Sequence, residues 1–404
     1  MASIISTPDC QLAAAYTPII WRIQEFTVAN RLPPAMKVDY MLDGSLFATV
    51  YLSPVEALAA PPQYFFEVDA QEVVQSFFNN ADALPPINTG VLVSGFSVSV
   101  QIVVTPQIDE GGGFLVENTV GVLTSQSIYA INAYRKGQEQ ACLDSYATGF
   151  AINTEGPRPW LTRLNESIEL CRNANFWLSG YNGDNVMFYT IKTFDENGNE
   201  LASGGISSND LELQQVQTLG IGPVNLNDSG GLWLTTPVSI NQQVAYYTIT
   251  SSYISFEPGD DIFVHRTFTV HLTDDCCEYQ LVFLNSFGVY EAISVQKEQV
   301  LNYQVQGNVF SSARLLPSEA NFLLSRGTQY LSKNGTNVLQ FSLAQSRDQW
   351  QEWYRDFFNS PDVYLLANDQ LIPVVVNTGS FNLKSNFGLV ITLQWSNKDY
   401  SQRN

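Results

Sequence analysis

Apolar and polar residues alternate along much of this chain, and that alternation predicts β-strands. Residues 97–104 (SVSVQIVV) begin with strict alternation, with apolar side chains on one face and Ser or Gln on the other. Two further runs, 263–272 and 387–395, are rich in β-branched and aromatic residues, which favour strands. The pattern therefore indicates a protein built mainly from strands.

Turn dipeptides separate the strand-like runs. Asn-Gly and Asp-Gly tolerate the positive φ angles of tight hairpin turns, so each predicts a hairpin tip. They occur at Asp43-Gly44, Asn182-Gly183, Asn197-Gly198 and Asn334-Gly335. The clearest hairpin spans residues 185–206, and residues 108–113 (IDEGGG) predict a mobile loop tip. This antiparallel pattern is typical of β-sandwiches.

Three short helices are predicted. Asp69 and Glu72 form an acidic capping box before an apolar face, and Ser346 and Gln349 do the same before an aromatic-rich helix that Pro361 ends. Pro159 is placed to begin a third helix. Its apolar face is formed by Trp160, Leu164, Ile168 and Cys171.

The predicted fold is mainly β, with two to three antiparallel β-sandwich-like domains and a few short helices. A chain of 404 residues is too long for one compact core. We predict an N-terminal β domain with one helix at 1–145, a central β domain at 146–295, and a C-terminal β domain with one helix at 296–404. Pro373 is expected on an edge strand or at the end of a sheet.

The charge balance narrows the function. The formal net charge is −20, which argues against nucleic acid and anionic membrane partners because both need clustered Lys and Arg. No basic segment precedes an apolar stretch near the N-terminus, and no apolar run approaches the ~20 residues that span a bilayer. The five cysteines are odd in number and lack CxxC spacing, so reduced thiols and cytosolic synthesis are expected.

Residues that can ligate zinc cluster near residue 270. His265 and His271 lie six apart on one predicted strand and so point to the same face. Asp274, Asp275, Cys276 and Cys277 follow them. Histidines six apart on a strand are about 20 Å distant, too far to share an ion, and adjacent cysteines point to opposite faces. Surface or core positions in a strand pair are therefore favoured over a metal site.

Other catalytic patterns are weak. Paired acids occur in predicted turns, where acids are normally solvated, although a glycosidase also needs two acids. The pairs are Asp109 and Glu110, Asp195 and Glu196, and Asp260 and Asp261. Residues 195–200 (DENGNE) do not match the EF-hand spacing. No nucleophile elbow or phosphate-binding loop is present. We therefore predict a protein that is not an enzyme, with no catalytic, cofactor-binding or metal residue assigned and no cofactor.

Aromatic residues are abundant, with 24 Phe, 19 Tyr and 7 Trp. On the strand predicted over 244–256, Tyr246 points to one face and Tyr247 and Tyr253 to the other. Exposed rings stack on sugars or on partner proteins, whereas buried rings belong to the core. Both interpretations are open at this point.

Three stretches together resemble a known family. They are 16–26 (YTPIIWRIQEF) leading through Asp43-Gly44 to 65–78 (FFEVDAQEVVQSFF), the strand pair at 176–194, and 360–376 followed by a final strand closing on Trp395. This order is similar to virion structural proteins of tailed phages that infect Bacteroidetes, many of them tail or baseplate proteins. The resemblance implies several β-sandwich domains, repeated copies around a tail axis, and no cofactor.

Two hypotheses for the function follow. The first is a phage virion structural protein, a tail or baseplate component that acts through assembly contacts as a homo-oligomer and with other tail proteins. It would be made in the host cytoplasm and located in the virion. The alternative is a receptor-binding or carbohydrate-binding protein at the tail tip or on a cell surface.

Overall fold

The structure is a computed structural model. It describes residues 2–8, 10, 12–26, 33–59, 62–78, 91–93, 97–109, 112–133, 143, 160–164, 167–182, 187–206, 215–228, 238–254, 262–274, 279–295, 299–311, 328–343, 351–367, 370–376, 389–395 and 400–403.

Strands dominate the described residues. Those of the first third are β1 (Ser3–Ser6), β2 (Leu12–Ala14), β3 (Ile20–Phe26), β4 (Ala35–Leu42), β5 (Ser45–Leu52), β6 (Glu56–Ala59), β7 (Pro62–Asp69), β8 (Val91–Val93), β9 (Ser97–Asp109), β10 (Leu115–Glu117), β11 (Leu123–Thr124) and β12 (Ile128–Ile131). Next come β13 (Ser167–Cys171), β14 (Trp177–Asn182), β15 (Met187–Phe194), β16 (Glu200–Ile206), β17 (Gln215–Gly220), β18 (Tyr246–Ile254), β19 (Ile262–Thr273), β20 (Gln280–Leu284) and β21 (Tyr290–Ser294). The last are β22 (Gln299–Ser311), β23 (Thr328–Leu343), β24 (Val363–Ala367), β25 (Gln370–Val376), β26 (Leu389–Trp395) and β27 (Tyr400–Arg403).

Helices are few and short. The described α-helices are α1 (Gln71–Phe78), α2 (Pro223–Asp228) and α3 (Gln351–Asn359), and a 3₁₀ turn spans Thr119–Gly121. The mainly β fold with a few short helices is therefore confirmed. No helix of the described residues has the length and apolar character needed to cross a membrane.

The described strands form five sheets. Their strand orders are β1-β3-β7-β6, then β2-β12-β9-β4-β5 with β10 and β11 also on β9, then β13-β19-β18-β15-β16, then β14-β17-β8, and finally β21-β20-β24-β25-β26-β23-β22 with β27 on β23. Most pairs are antiparallel, as predicted. The pairs β2–β12 and β13–β19 are parallel, so two of the sheets are mixed.

The first two sheets face each other across one core. Alternate residues of β4 and of the first half of β9 are buried, as the alternating sequence predicts. The same core takes side chains from β3 and β7 on the opposite sheet and from α1. Those include Trp21, Ile23, Phe66, Val68 and Val74. Two mainly antiparallel sheets with a shared apolar layer form a β-sandwich-like arrangement.

A second core joins the other three sheets. It takes side chains from β13, β15, β18 and β19 on one side and from β14, β17, β20 and β24 on the other. Helix α3 adds Trp353, Tyr354 and Phe357, which are almost fully buried. Phe283 on β20 packs edge to face with Trp353 and with Phe357, with ring centroids 5.8 and 5.4 Å apart. The aromatic stripe of the helix therefore holds it on the sheet.

The turn between β20 and β21 meets residues that follow β12. Gly288 has φ +73°, and a β-carbon there would lie 1.9 Å from the carbonyl oxygen of Asn132. Only glycine fits that contact. Phe287 and Val289 flank it and lie in a third cluster with Leu12 and Ile131.

Several local predictions are confirmed. Asp43 and Gly44 both have positive φ and form the tip of the β4–β5 hairpin. The loop at Asn197-Gly198 joins β15 and β16. The predicted helix after Asp69 is present as α1, and Asp69 accepts hydrogen bonds from the backbone N–H groups of Gln71 and Ile19, at 2.9 and 3.0 Å. The bond to Gln71 lies at the first helical residue, whereas the predicted capping box pairs Asp69 with Glu72. Gly183, Ser346 and Gln349 lie outside the described residues, whereas α3 ends at Asn359, before Pro361.

Other local predictions are wrong. The helix expected after Pro159 does not form, because residues 167–171 pair with β19 as strand β13, and Trp160 makes an isolated bridge with Gly180. Asn334-Gly335 lies inside β23 and pairs with both β22 and β27, so it is not a hairpin tip. Strand β9 continues through Asp109, so the predicted loop tip begins later than expected.

Two details concern proline and cysteine. The prediction for Pro373 is wrong, because β25 lies inside its sheet between β24 and β26 and is not an edge strand. Pro373 pairs with Tyr364 on β24, and the ladder between β25 and β26 begins only at Val374. The expectation of reduced thiols is wrong for Cys171, which is disulfide-bonded to a partner outside the described residues.

Strands pair across both predicted domain borders. β8 pairs with β17 across the border at 145, and β20 pairs with β24 across the border at 295. The limits of the three domains stay predictions.

Candidate functional site

The sequence-predicted ligand residues are spread over separate parts of the described structure. His271 lies exposed on β19, and Asp274 follows the strand and forms an ion pair with Arg172 (Nε to Oδ1, 2.6 Å). Asp275, Cys276 and Cys277 lie outside the described residues, as does the side chain of His265. Within the described part of the chain, no group of three or more His, Cys, Asp or Glu side chains could hold a metal ion.

The paired acids serve local structure where they are described. Asp195 Oδ1 accepts hydrogen bonds from the N–H groups of Asn199 and Asn197, at 2.8 and 2.9 Å, and its Oδ2 accepts one from the Asn199 amide. These bonds, the Asn199 side chain first, hold the pKa of the Asp195 carboxyl below its usual value. Asp109 is buried and accepts a hydrogen bond from Gly113 N–H at 3.1 Å. Glu110, Asp260 and Asp261 lie outside the described residues.

The solvent side of the five-stranded sheet carries an unusual set of side chains, which we call the outer face. The face comprises Thr190, Lys192 and Phe194 on β15, Tyr246, Thr248 and Thr250 on β18, and Thr267, Thr269 and His271 on β19. The residues between them, such as Ile191, Tyr247 and Val270, are buried. The alternation that builds the core therefore also fixes which residues reach solvent.

One row of the outer face is aromatic. The register pairs Phe194 with Tyr246 and Tyr246 with His271. The Phe194 and Tyr246 rings are stacked, with centroids 4.9 Å apart and planes 12° apart, and the His271 ring lies 5.8 Å from Tyr246. Glu200 on β16 and Glu169 on β13 occupy the two ends of the row.

The next two rows consist mostly of threonine. Lys192, Thr248 and Thr269 form one row, and Thr190, Thr250 and Thr267 form the other. The hydroxyls of Thr250 and Thr267 are hydrogen-bonded at 3.1 Å. Lys192 is ion-paired with Glu200 at 2.9 Å.

Of the three tyrosines singled out in the sequence, two are described. Tyr247 is fully buried, and its hydroxyl donates to the carbonyl oxygen of Ile221 at 2.7 Å, so it is a core residue. Tyr246 is half-buried on the outer face. The side chain of Tyr253 lies outside the described residues.

A buried carboxylate cluster was missed in the sequence. Glu291 on β21 is fully buried and accepts hydrogen bonds from the Trp353 indole and the Asn285 amide. Burial raises the pKa of the Glu291 carboxyl to about 7. Hydrogen bonds from Thr162 and Trp353 lower this pKa, and the negative charge of the nearby Asp356 raises it. An acidic residue inside the apolar run 289–295 was the signal that could have found it.

Asp356 on α3 forms the second half of that cluster. It is ion-paired with Arg163 (Oδ1 to Nε, 3.1 Å) and accepts a 2.8 Å hydrogen bond from the Ser286 hydroxyl. Burial raises the pKa of the Asp356 carboxyl. The Arg163 guanidinium also lies 5.5 Å above the Phe287 ring. The bonds from Ser286 to Asp356 and from Trp353 to Glu291 tie α3 to the β20–β21 hairpin.

An exposed apolar segment follows β9, and we call residues 114–122 the apolar flap. Its exposed members are Phe114, Leu115, Val116, Val120 and Val122, and Val120 is 95% exposed. The flap is ordered by hydrogen bonds: Asn118 accepts one from Gly121 N–H at 3.2 Å, and β10 pairs with the end of β9. The exposed apolar side chains of the flap are therefore held by a hydrogen-bonded backbone.

The opposite edge of the same sheet is also apolar. β10 and β11 pair with β9 at residues that β4 pairs with too, so they lie on the side of β9 away from β4 and β5. Among the described strands, β5 ends the sheet on its other side, and it contains no charged residue. Leu46 and Tyr51 on it are 61% and 63% exposed. Such edges usually carry charges that prevent pairing with another chain.

No protein-family model matches the chain, and no curated protein matches it. Among solved structures, the chain is similar to the fibronectin(III)-like modules of Clostridium thermocellum CbhA, at 8% identity and a TM-score of 0.15, over 68% of this chain and 94% of that one. It is also similar to the periplasmic chaperone SfaE, at 9% identity and a TM-score of 0.15, over 68% of this chain and 100% of that one. A TM-score of 0.15 is too low for either structure to inform function.

Proposed function

We propose that this protein is a structural component of a tailed phage, in the tail or baseplate, and that it acts through assembly contacts rather than catalysis. The sequence resemblance suggests the particle. The observation that carries the assembly role is the pair of exposed apolar edges on one sheet, the apolar flap and β5.

The apolar flap and β5 are different surfaces, so a contact between them joins unlike surfaces of two copies. A contact between unlike surfaces of identical subunits is head-to-tail, and it closes into a ring when the rotation allows. Within each copy, the apolar flap and β5 lie on opposite edges of the same sheet. The flap of one copy can therefore contact β5 of the next copy. Repeated copies around a tail axis need this arrangement.

The distribution of charged residues favours contact at these two edges. Copies with a net charge of −20 repel each other, and contact is favoured where charge is absent. Residues 112–124 contain a single charged residue, Glu117, whose carboxylate lies 3.8 Å from Lys37. Exposed apolar groups on monomers are usually scattered, whereas grouped ones mark interaction surfaces.

Sedimentation velocity of the full chain tests the proposal. We expect a discrete oligomer for the wild type, and a self-association at least about tenfold weaker for Val120→Asp, because a carboxylate in the interface loses its hydration. Leu201→Asp on β16 is the matched control, since it places the same charge at an exposed apolar position on another sheet. A wild type that remains monomeric, or a Val120→Asp variant that associates as the wild type does, contradicts the proposal.

A second candidate function is binding of a host receptor or a carbohydrate. The observation that favours it is the aromatic and threonine composition of the outer face. It is compatible with the assembly role because the outer face and the two apolar edges belong to different sheets.

A further inference from the structure

We infer that helix α3 is a pH-dependent element, which lies closed on the β20–β21 hairpin while the buried carboxyl group of Glu291 is protonated and opens locally when that group ionises. The inference is independent of the proposed assembly contacts, because the apolar flap and β5 belong to another sheet. It rests on where Glu291 lies, on which groups surround it, and on how the charges of the cluster balance.

Glu291 lies between the helix and the hairpin. It is 1% exposed, and its Oε1 accepts a hydrogen bond from the Asn285 amide at 3.0 Å. Its Oε2 accepts a hydrogen bond from the indole N–H of Trp353, which is on α3. The carboxyl group is therefore part of the surface that α3 covers, and water reaches a charge there only when the helix moves away.

The cluster contains two carboxyl groups and one cation. The cation, Arg163, is taken by Asp356: its Nε lies 3.1 Å from Asp356 Oδ1 and 3.0 Å from the Ser286 hydroxyl. In the described part of the chain Glu291 forms no ion pair, and the Asn285 and Trp353 groups that donate to it are neutral. Ionisation of both carboxyls would therefore leave one uncompensated negative charge in a buried site, which is costly.

The other elements around Glu291 bring no further charge to it. Strands β14 and β20 contain no charged residue. The other charged residues of α3, Glu352 and Arg355, are exposed and paired with each other. The remaining titratable groups are hydroxyls of tyrosines, which lose a proton only in strongly basic solution: Tyr181 on β14 and Tyr354 on α3. Asp356 is therefore the charged group that acts on Glu291, and Arg163 acts through Asp356.

The direction of the response follows from proton binding. Burial raises the pKa of the Glu291 carboxyl to about 7, against 4.5 for a solvated glutamate, so the closed form holds a proton that the open form releases. Rising pH therefore favours opening, and the opening equilibrium constant increases about tenfold between pH 6 and pH 8. The buried rings of Trp353, Tyr354 and Phe357 still hold the helix, so the open form is a minor population whose size depends on pH.

Hydrogen exchange of the full chain, followed by mass spectrometry, measures this opening. The observed exchange rate divided by the intrinsic rate at each pH gives the opening equilibrium constant of a segment. We expect this constant to rise about tenfold between pH 6 and pH 8 for residues 351–359 of the wild type. Peptides from β15, which contributes to the same core, should change less, because the opening is local.

Three variants separate the titration of Glu291 from other effects of pH. Glu291→Gln should remove the pH dependence of exchange in α3. Glu352→Gln is the matched control, since it removes an exposed carboxylate from the same helix and should behave as the wild type does. Asp356→Asn should move the midpoint of the response to lower pH, because the charge of Asp356 raises the pKa of Glu291.

Three results overturn the inference. The first is exchange in residues 351–359 of the wild type that has the same opening constant at both pH values. The second is a Glu291→Gln variant that responds to pH as the wild type does. The third is an equal response in α3 and β15, which would mean that the titration acts on the whole core and not on the helix. Circular dichroism of each variant confirms that it is folded, and the comparison of α3 with β15 in the wild type needs no variant.

Discussion

The buried carboxylate of Glu291 makes a quantitative prediction about pH. Substitution Glu291→Gln keeps the size of the side chain and removes its titration. In the folded protein the pKa of Glu291 is raised to about 7 by burial, against 4.5 for an unburied glutamate. A glutamate whose pKa is raised on folding stabilises the protein most below its unfolded pKa, and that contribution is lost as pH rises through the folded pKa.

The magnitude follows from the shift. Each unit of pKa difference between the folded and unfolded states corresponds to about 1.4 kcal/mol, so the full change in unfolding free energy is about 3 kcal/mol. Asp356 faces Glu291 from α3, and Arg163 faces Asp356, so these are the charged groups that modulate the effect. The wild type should therefore lose about 3 kcal/mol of unfolding free energy relative to Glu291→Gln between about pH 4.5 and pH 8.

Urea unfolding at a series of pH values, followed by tryptophan fluorescence, measures this difference. Because other carboxyls also titrate, the readout is the difference between the two proteins at each pH. Glu67→Gln is the matched control, since Glu67 is exposed in an ion pair with Arg22 and such pairs contribute about 1 kcal/mol or less. A difference that does not change with pH, or that changes in the opposite direction, contradicts a raised pKa for Glu291 in the folded protein.

Three further predictions concern single contacts. Gly288→Ala should lower the unfolding free energy, measured by chemical denaturation, by about 3 kcal/mol, because the added β-carbon clashes with the Asn132 carbonyl oxygen at a positive φ. Gly44→Ala is the control, since Gly44 also has a positive φ but no atom lies within 4 Å of the added carbon; an equal loss in both variants contradicts the clash. Asn225→Ala should cost about 3 kcal/mol, measured in the same way, because it removes the buried acceptor of the Phe176 N–H (2.9 Å); an unchanged midpoint contradicts this. Val120→Asp should leave the melting temperature within a few degrees of the wild type while weakening self-association, since Val120 is almost fully exposed and surface substitutions change stability by about 0.5 kcal/mol or less; a large drop in melting temperature contradicts the exposed position.

Local sequence patterns predicted the parts of the fold that local physics determines. The alternation in residues 97–104 became the alternating burial of β9, and Asp43-Gly44 became a turn with two positive φ angles. In each case the cause lies within a few residues of the chain, so no distant contact is needed to see it.

Predictions failed where distant pairing overrides local pattern. Apolar residues at 160, 164, 168 and 171 have helical spacing, but Ile168 and Cys171 belong to a strand that β19 pairs with. Asn334-Gly335 has turn chemistry, yet pairing on both sides keeps it within β23. Tertiary hydrogen bonding outweighs a propensity of a few tenths of a kcal/mol per residue.

The candidate sites show the same division. Tyr246 was visible in the sequence as a possible exposed ring, but its row with Phe194 and His271 depends on strands that are far apart in the chain. Glu291 meets Trp353 across 62 residues, so the sequence offered only an acid within an apolar run. Side chains brought together by register are not predictable until the register is known.

In the proposed assembly, copies of this chain meet head-to-tail through two apolar edges of one sheet. Electron microscopy of the purified full chain tests this assembly, because a ring is visible in single-particle averages. We predict closed rings with rotational symmetry, in which the apolar flap of one 44.9 kDa subunit meets β5 of the next. Particles of a single subunit at every concentration, or assemblies in which the flap and β5 both face solvent, would contradict it.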